Sequence, residues 1–338
     1  MTIELTKTDF RDVVARAEQQ GESLCQATEF GNQYWIPKQL GEGSDSLFRL
    51  RNGLNMEIFR IRLRQSIRLV HQHESRFPLV AKFYVSGASR VQTPDVSDID
   101  NDYYELANRH YLYHLPDQTE TEEWFADDLI YVVMLSVDTC YFRSFNLGNT
   151  TLSNPLQKLL KGDINQRFHQ PLGRMSPRIK QLVQQIVQCP YTGLMQQLYL
   201  ESKALELLAC QFAVWTEDQP TGPSISLCAQ DIEQLHQAKA ILVQQAATPP
   251  SLTELARLVG LNDRKLKQGF RQLFGTTVFG YLHDYRMEQA QNLLHHPHIT
   301  IAQVAIQVGY RNPEAFSTAF RRKFAISPKA YQLGQRQS

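Results

Sequence analysis

The stretch "GYRNPEAFSTAFRRKF", Gly309 to Phe324, sets Phe316 and Phe320 four residues apart and follows them with Arg321, Arg322 and Lys323. Four-residue spacing puts both rings on one face of a helix, and the Gly and Asn before them are residues that end one helix and cap the next. The pattern occurs twice. Ala256-Arg257-Leu258-Val259-Gly260-Leu261-Asn262 answers Ala305-Ile306-Gln307-Val308-Gly309-Tyr310-Arg311-Asn312, with one extra residue after the second glycine. Counted from each Asn, position +4 is Leu266 or Phe316, position +8 is Phe270 or Phe320, and position +9 is Arg271 or Arg321.

The physical reading is a helix-turn-helix used twice. The small Ala lets two helices cross closely, the Gly takes the left-handed conformation, and the Asn accepts the free amides of the second helix. Positions +4 and +8 then hold the second helix to a core, and +1, +2, +5 and +6 face outward. In the first copy these are Asp263, Arg264, Lys267 and Gln268; in the second they are Pro313, Glu314, Ser317 and Thr318. On a recognition helix such positions meet base edges, where Arg or Lys suits guanine, Gln adenine and Glu cytosine. Arg271, Arg321, Arg322 and Lys323 lie farther along and are better placed for phosphates. Gly269 inside the first recognition helix should cost about 1 kcal/mol relative to Ala, unless close approach to DNA or a neighbouring helix requires it. Pro313 suits a first helical position but offers no side-chain hydrogen bond to a base.

Charge separates this region from the rest. Residues 230–338 hold 13 Lys and Arg against 7 Asp and Glu, whereas residues 1–229 hold 22 against 27. A basic third beside an acidic remainder is the asymmetry of a chain with one polyanion-binding domain. A helical bundle with two chance hairpins is the plain alternative, and two copies in phase on a +6 domain argue against it. The Pro-, Gly- and Ser-containing stretch "WTEDQPTGPSISLCAQ" marks a linker, placed at 218–229 between a domain of residues 1–217 and one of 230–335.

The first domain reads as β-rich to about residue 150. In "EIFRIRLRQ" the apolar Phe59, Ile61 and Leu63 alternate with Arg60, Arg62 and Arg64, and "LVAKFYVSG" and "LIYVVMLSV" are further strand candidates. Ser176-Pro177 signals the start of a helix, and a second follows, giving a helical pair over 177–215 with Leu198, Ala204, Leu205, Leu208 and Phe212 near one face of the second. The fold class is therefore α+β: a mainly-β, cupin-like barrel or sandwich with a helical pair, then an all-α domain with two helix-turn-helix units.

Residues 230–335 resemble the DNA-binding domain of AraC/XylS-type bacterial transcription regulators. The matching segments are "LTELARLVGLNDRKLKQGFRQLFG", "YLHDYRMEQAQNLL" and "IAQVAIQVGYRNPEAFSTAFRRKFAISPKAY". The resemblance implies two recognition helices in successive major grooves, promoter DNA and RNA polymerase as partners, and a homodimer among the options. Activation is the expected direction. A looser resemblance over 50–215, sharpest at "LYLESKALEL", is to the subgroup that responds to ferric pyochelin, and it implies a small-molecule effector, with a ferric siderophore as the candidate.

For that effector the candidate contacts are Arg60 and Arg62, for an anionic group, and Tyr111, Tyr113 and Trp124, for an aromatic one. A solvated edge strand and core packing are the respective structural alternatives. No cofactor and no metal is expected. His71-x-His73 is similar to the metal motif of cupin barrels, but Phe77 and Pro78 stand where that motif wants its Glu, so the competing reading is a cupin-like metal-dependent enzyme with a basic helical appendage. His110 and His114 offer a weaker pair. H-E-x-x-H, G-x-S-x-G, P-loop and G-x-G-x-x-G motifs are absent. Five scattered cysteines fit neither a disulfide framework nor a zinc clip, and with no apolar span or signal-like N-terminus the expectation is a cytoplasmic protein.

Overall fold

The computed structural model describes residues 2–94, 101–145, 152–216, 229–296 and 299–335. It divides into two compact units, Met1–Ser226 and Leu227–Ser338. The linker expected over 218–229 falls, save its last residue, outside the described positions.

The first unit begins with β1 (Ile3–Thr6), α1 (Lys7–Gln19), β2 (Cys25–Thr28), β3 (Gly31–Trp35) and β4 (Gly41–Arg49). It continues through β5 (Leu54–Leu63), β6 (Ile67–Gln72), β7 (Leu79–Ser86), β8 (Ala88–Gln92), β9 (Asp102–Leu106), β10 (Arg109–His114), β11 (Thr119–Trp124) and β12 (Leu129–Val137). α2 (Asn154–Leu160), β13 (Phe168–Arg174), α3 (Pro177–Val187) and α4 (Gly193–Val214) complete it. One sheet runs β1-β6-β11-β8-β9 and the other β13-β10-β7-β12-β5-β4-β3-β2, antiparallel except for the β1–β6 pair.

Period-2 alternation builds three layers from these elements. On β7, Leu79, Ala81 and Phe83 face the helices α2 to α4, while Val80, Lys82 and Tyr84 face the smaller sheet. On β12 the same division puts Val133, Leu135 and Val137 against the helices and Ile130, Val132 and Met134 inside. The larger sheet is thus buried on both faces at its centre, which explains the near-continuous apolar runs there.

Ser176 caps α3 by accepting Ile179 N–H at 3.2 Å, with Pro177 at the first position. α4 buries Leu200, Ala204, Leu207, Leu208 and Gln211, with Leu205 and Phe212 packed beside them. Leu198, expected on this face, is instead 51% exposed, because the buried stripe follows 200, 204, 207, 208 and 211 around the helix. Gln211 reaches Tyr111 O at 3.1 Å, and Glu201 pairs with Arg51 at 2.8 Å. Cys25, Cys140, Cys189 and Cys210 are free among the described residues.

The second unit is helical: α5 (Ala229–Gln244), α6 (Leu252–Leu258), α7 (Asp263–Leu273), α8 (Val278–Leu294), α9 (Ile301–Gln307), α10 (Pro313–Phe324) and α11 (Pro328–Gln335). The last of these, α11, follows the second helix-turn-helix. Its start repeats the Ser-Pro signal of α3, with Ala330 N–H donating to Ser327 Oγ at 3.2 Å.

Candidate nucleic-acid interface and ligand cavity

Each helix-turn-helix closes as its residue types require. Gly260 and Gly309 adopt φ of +72° and +85°, Asn262 accepts Lys265 N–H at 2.8 Å, and Asn312 accepts Glu314 N–H at 2.8 Å. Ala256 and Ala305 are buried at the crossings, and Leu266, Phe270, Phe316 and Phe320 are completely buried. Gly269 owes its place to packing within the unit: a Cβ there would lie 2.4 Å from Leu235 Cδ1 of α5.

These anchors leave Arg264, Lys267, Glu314 and Thr318 exposed, with Asp263, Gln268 and Ser317 partly exposed. Thr253 donates its hydroxyl to Asp263 at 3.3 Å, which holds that carboxylate at the start of α7. Ser317 donates its own to Pro313 O at 2.8 Å, so outward it offers an acceptor only. Arg271, Arg321 and Arg322 are exposed at the far ends of the two helices. Lys323 differs from its neighbours in holding Asp284 of α8 at 2.6 Å. The arrangement offers donors and acceptors of the kind that meet base edges, flanked by cations of the kind that meet phosphates.

Two supporting residues were not legible beforehand. Lys265 pairs with Asp231 of α5 at 2.5 Å. Arg286, inside α8, donates to Ala246 O at 2.8 and 2.6 Å and lies over the Tyr310 ring, binding the second turn to the end of α5. Only the positive charge mid-helix in "YLHDYRM" hinted at it.

In the first unit a cavity of about 440 Å³ opens between the two sheets. Its walls include Phe59, Phe77, Tyr113 and Trp124, together with Asp45, Glu57, His71, His73, Lys82, Glu120 and Glu122. Lys82 lies 2.6 Å from Glu105 and 2.8 Å from Glu122, and Glu105 in turn meets His169 at 3.0 Å. Burial would lower the Lys82 ammonium, but the two carboxylates overcome it and hold the group well above its usual range. Burial pushes Glu120 up to about 8, with Glu122 adding to it, and pushes Glu57 up to about 7 and Asp45 up to about 6.

The expected effector contacts separate. Tyr113 and Trp124 line the cavity. Tyr111 is buried but spent elsewhere: its hydroxyl accepts Leu106 N–H at 2.7 Å and its ring stands edge-on to Tyr84. Arg60 and Arg62 fall on the opposite face of β5, because Glu57 and Phe59 take the inward positions and alternation sends the arginines out; Arg60 is exposed over Tyr131. The arginine row is therefore no wall of this cavity. Of the polar wall, Lys82 sits in the apolar run of β7, where the sequence signal was packing, whereas Glu120 and Glu122 lie in the polar strand TETEEW and Asp45 in GEGSDSLFR, segments that read as solvated surface.

His71 and His73 do share the cavity wall, and Glu120 pairs in register with His71. His73 Nδ1 donates to Leu115 O at 2.9 Å and its ring stacks on Phe77. Among the described residues no group of three His, Cys, Asp or Glu side chains is disposed to hold a metal ion. His110 and His114 lie on the strand β10, bonded to Gln211 and Gln166 O respectively. No helix among the described residues is long and apolar enough to cross a membrane.

Two helix-turn-helix units in one helical module, preceded by a β-walled cavity, define a two-part, AraC-class architecture. Residues 42–227 match the model of the regulatory protein PchR N-terminal domain and residues 255–333 that of a helix-turn-helix domain. The chain belongs to this PchR-type family of AraC-class regulators. It is 43% identical over 122 residues to regulatory protein PchR of Pseudomonas aeruginosa, covering 35% of this chain and 40% of that protein. To the transcriptional activator RhaR of Klebsiella pneumoniae it is 30% identical, over 39% of this chain and 47% of that one. The matches thus span less than half of each of these relatives. Among solved structures, an apo ToxT variant of Vibrio cholerae overlays 84% of this chain and 98% of its own at 12% identity, with a TM-score of 0.34. The DNA-binding domain of AdpA in complex with a target DNA overlays 31% and 94% at 29% identity and a TM-score of 0.30.

Proposed function

We propose that the chain is a sequence-specific DNA-binding transcription regulator whose second unit grips promoter DNA and whose β-walled cavity takes a small-molecule effector. The observation that carries this reading is the doubled turn: two recognition helices, each capped and anchored alike, presenting Arg264, Lys267, Gln268 and Thr318 outward. The effector is a ferric chelate of the siderophore type, in line with the family to which the chain belongs, and the regulated genes serve iron uptake. RNA polymerase is the partner of the bound state, activation the outcome, and the cytoplasm the place.

The switch is a population shift, with the effector favouring one of two states by about 1–3 kcal/mol. β7 is suited to report occupancy within the first unit, since Lys82 and Tyr84 face the cavity while Ala81 and Phe83 press on the α3–α4 layer. Footprinting on the DNA upstream of the gene, with and without iron-loaded culture extract, tests the reading. Protection of two adjacent grooves that changes with the extract supports it. Metal-dependent turnover by a protein that protects no DNA would favour the cupin-like enzyme instead.

A further inference from the structure

The cavity has an unbalanced wall. Lys82 is the one Lys or Arg among its described lining residues, and Glu105 and Glu122 already share it. Glu57, Glu120 and Asp45 remain. Glu120 is 7% exposed and its carboxyl makes no side-chain hydrogen bond or ion pair among the described residues, and Asp45 Oδ1 is buried without a hydrogen-bond partner among them. Glu57 and Asp45 belong to the larger sheet and Glu120 to the smaller, so carboxyls face the space from both walls. Beside them Phe59 and Trp124 pack with ring centroids 5.0 Å apart.

We infer that the ligand of this cavity carries a positive charge, received by Glu57 and Glu120 from opposite sheets while its flat part lies against Phe59 and Trp124. The inference rests on the reading of the cavity as the effector site and deepens it by ligand charge. An anion would meet three carboxyls and a lysine whose charge is already answered. A neutral ligand would leave buried carboxyls unpaired, which burial penalises. A cation satisfies them, whether it is an organic ammonium or a metal chelate with net positive charge.

Proton release accompanies this binding. Burial keeps Glu120 at about 8, Glu57 at about 7 and Asp45 at about 6, and a cation beside them draws these values down. The other groups facing the space do not reverse the sign. Burial holds His71 and His73 below their usual value, so any charge they lose as pH rises acts in the same direction, and it holds Tyr84 and Tyr113 protonated. Lys82, Glu122 and, behind them, Glu105 stay charged together. Affinity for a cation therefore rises with pH between about 6 and 8.

Calorimetric titration of the full chain with tryptamine, indole-3-ethanol and indole-3-acetate, at both ends of that range, tests the assignment. Tris(bipyridine)iron(II) and iron(III)–EDTA serve as cationic and anionic chelates. Tryptamine should bind at least about tenfold more tightly than indole-3-acetate, and about tenfold more tightly at the higher pH than at the lower. Glu57→Gln with Glu120→Gln should erase both preferences while keeping the circular dichroism spectrum and the cooperative thermal unfolding of the parent chain, which certifies the fold. If tryptamine alone binds among the cations, the charge is an ammonium; if the bipyridine complex binds as well or better, it is a chelate. Preference for either anion, or no binding by any probe, overturns the assignment. DNA affinity measured on the same samples separates the two ideas: an anion that alters it leaves the sensor reading standing, whereas a bound cation that leaves it unchanged removes that reading alone.

Discussion

Leu235 of α5 occupies the space that a side chain at Gly269 of α7 would need, with Cδ1 2.4 Å from the position of a Cβ. The glycine that looked like a cost inside a recognition helix is the condition for seating that helix on its neighbour. Gly269→Ala should therefore destabilise by about 1–3 kcal/mol through overpacking, despite the gain of about 1 kcal/mol in helix propensity. The double variant with Leu235→Ala should lose less in thermal unfolding than the sum of the two single losses, because the added methyl group fills part of the space that the leucine vacates. A stable single variant would show that α5 and α7 are not in tight contact.

Removal of the buried ammonium has a predictable pH signature. Lys82→Met removes the ammonium shared by Glu105 and Glu122, leaving them His169 and the Tyr84 hydroxyl, and should destabilise by about 3–5 kcal/mol at neutral pH. Both carboxylates are depressed in the folded protein, burial notwithstanding, by Lys82. Their stabilisation is present above the unfolded carboxylate range and fades as pH falls through the folded values. The deficit of Lys82→Met, followed by chemical denaturation, should accordingly shrink with acidification; a constant deficit would point to packing alone.

Reading and gripping DNA should separate by position. Arg264→Ala should relax base preference and cost about 1–3 kcal/mol on the specific site, whereas Arg321→Ala should weaken all sequences and flatten the salt dependence. Lys323→Ala should do less than Arg321→Ala, because Lys323 already holds Asp284. Anisotropy titrations across salt concentrations on specific and scrambled duplexes check this, and equal losses on both duplexes for Arg264→Ala would refute the division.

The second turn should depend on Arg286. Its guanidinium bonds the Ala246 carbonyl at 2.8 and 2.6 Å beneath Tyr310, so Arg286→Met should destabilise by about 1–3 kcal/mol and loosen the second recognition helix. Hydrogen exchange should rise across Ile301–Phe324 more than across Leu252–Leu273. Uniform acceleration would mean that the contact supports the whole unit.

The sequence alone determined the doubled turn, because every element of that motif is local. A glycine in the left-handed region, an Asn cap and two anchors four residues apart lie within one hairpin, and Gly309, Asn312, Phe316 and Phe320 stand as their spacing requires. The Ser-Pro helix start at Ser176 and the strand alternation that sends Arg60 outward are local in the same sense. Only the tertiary structure decided the cavity. Lys82, Glu105, Glu122 and His169 come from four different strands, so nothing in their spacing could pair them, and an alternation of two cannot say which face of a strand meets a ligand. The same holds for Gly269 against Leu235, a contact between helices that no helical period encodes.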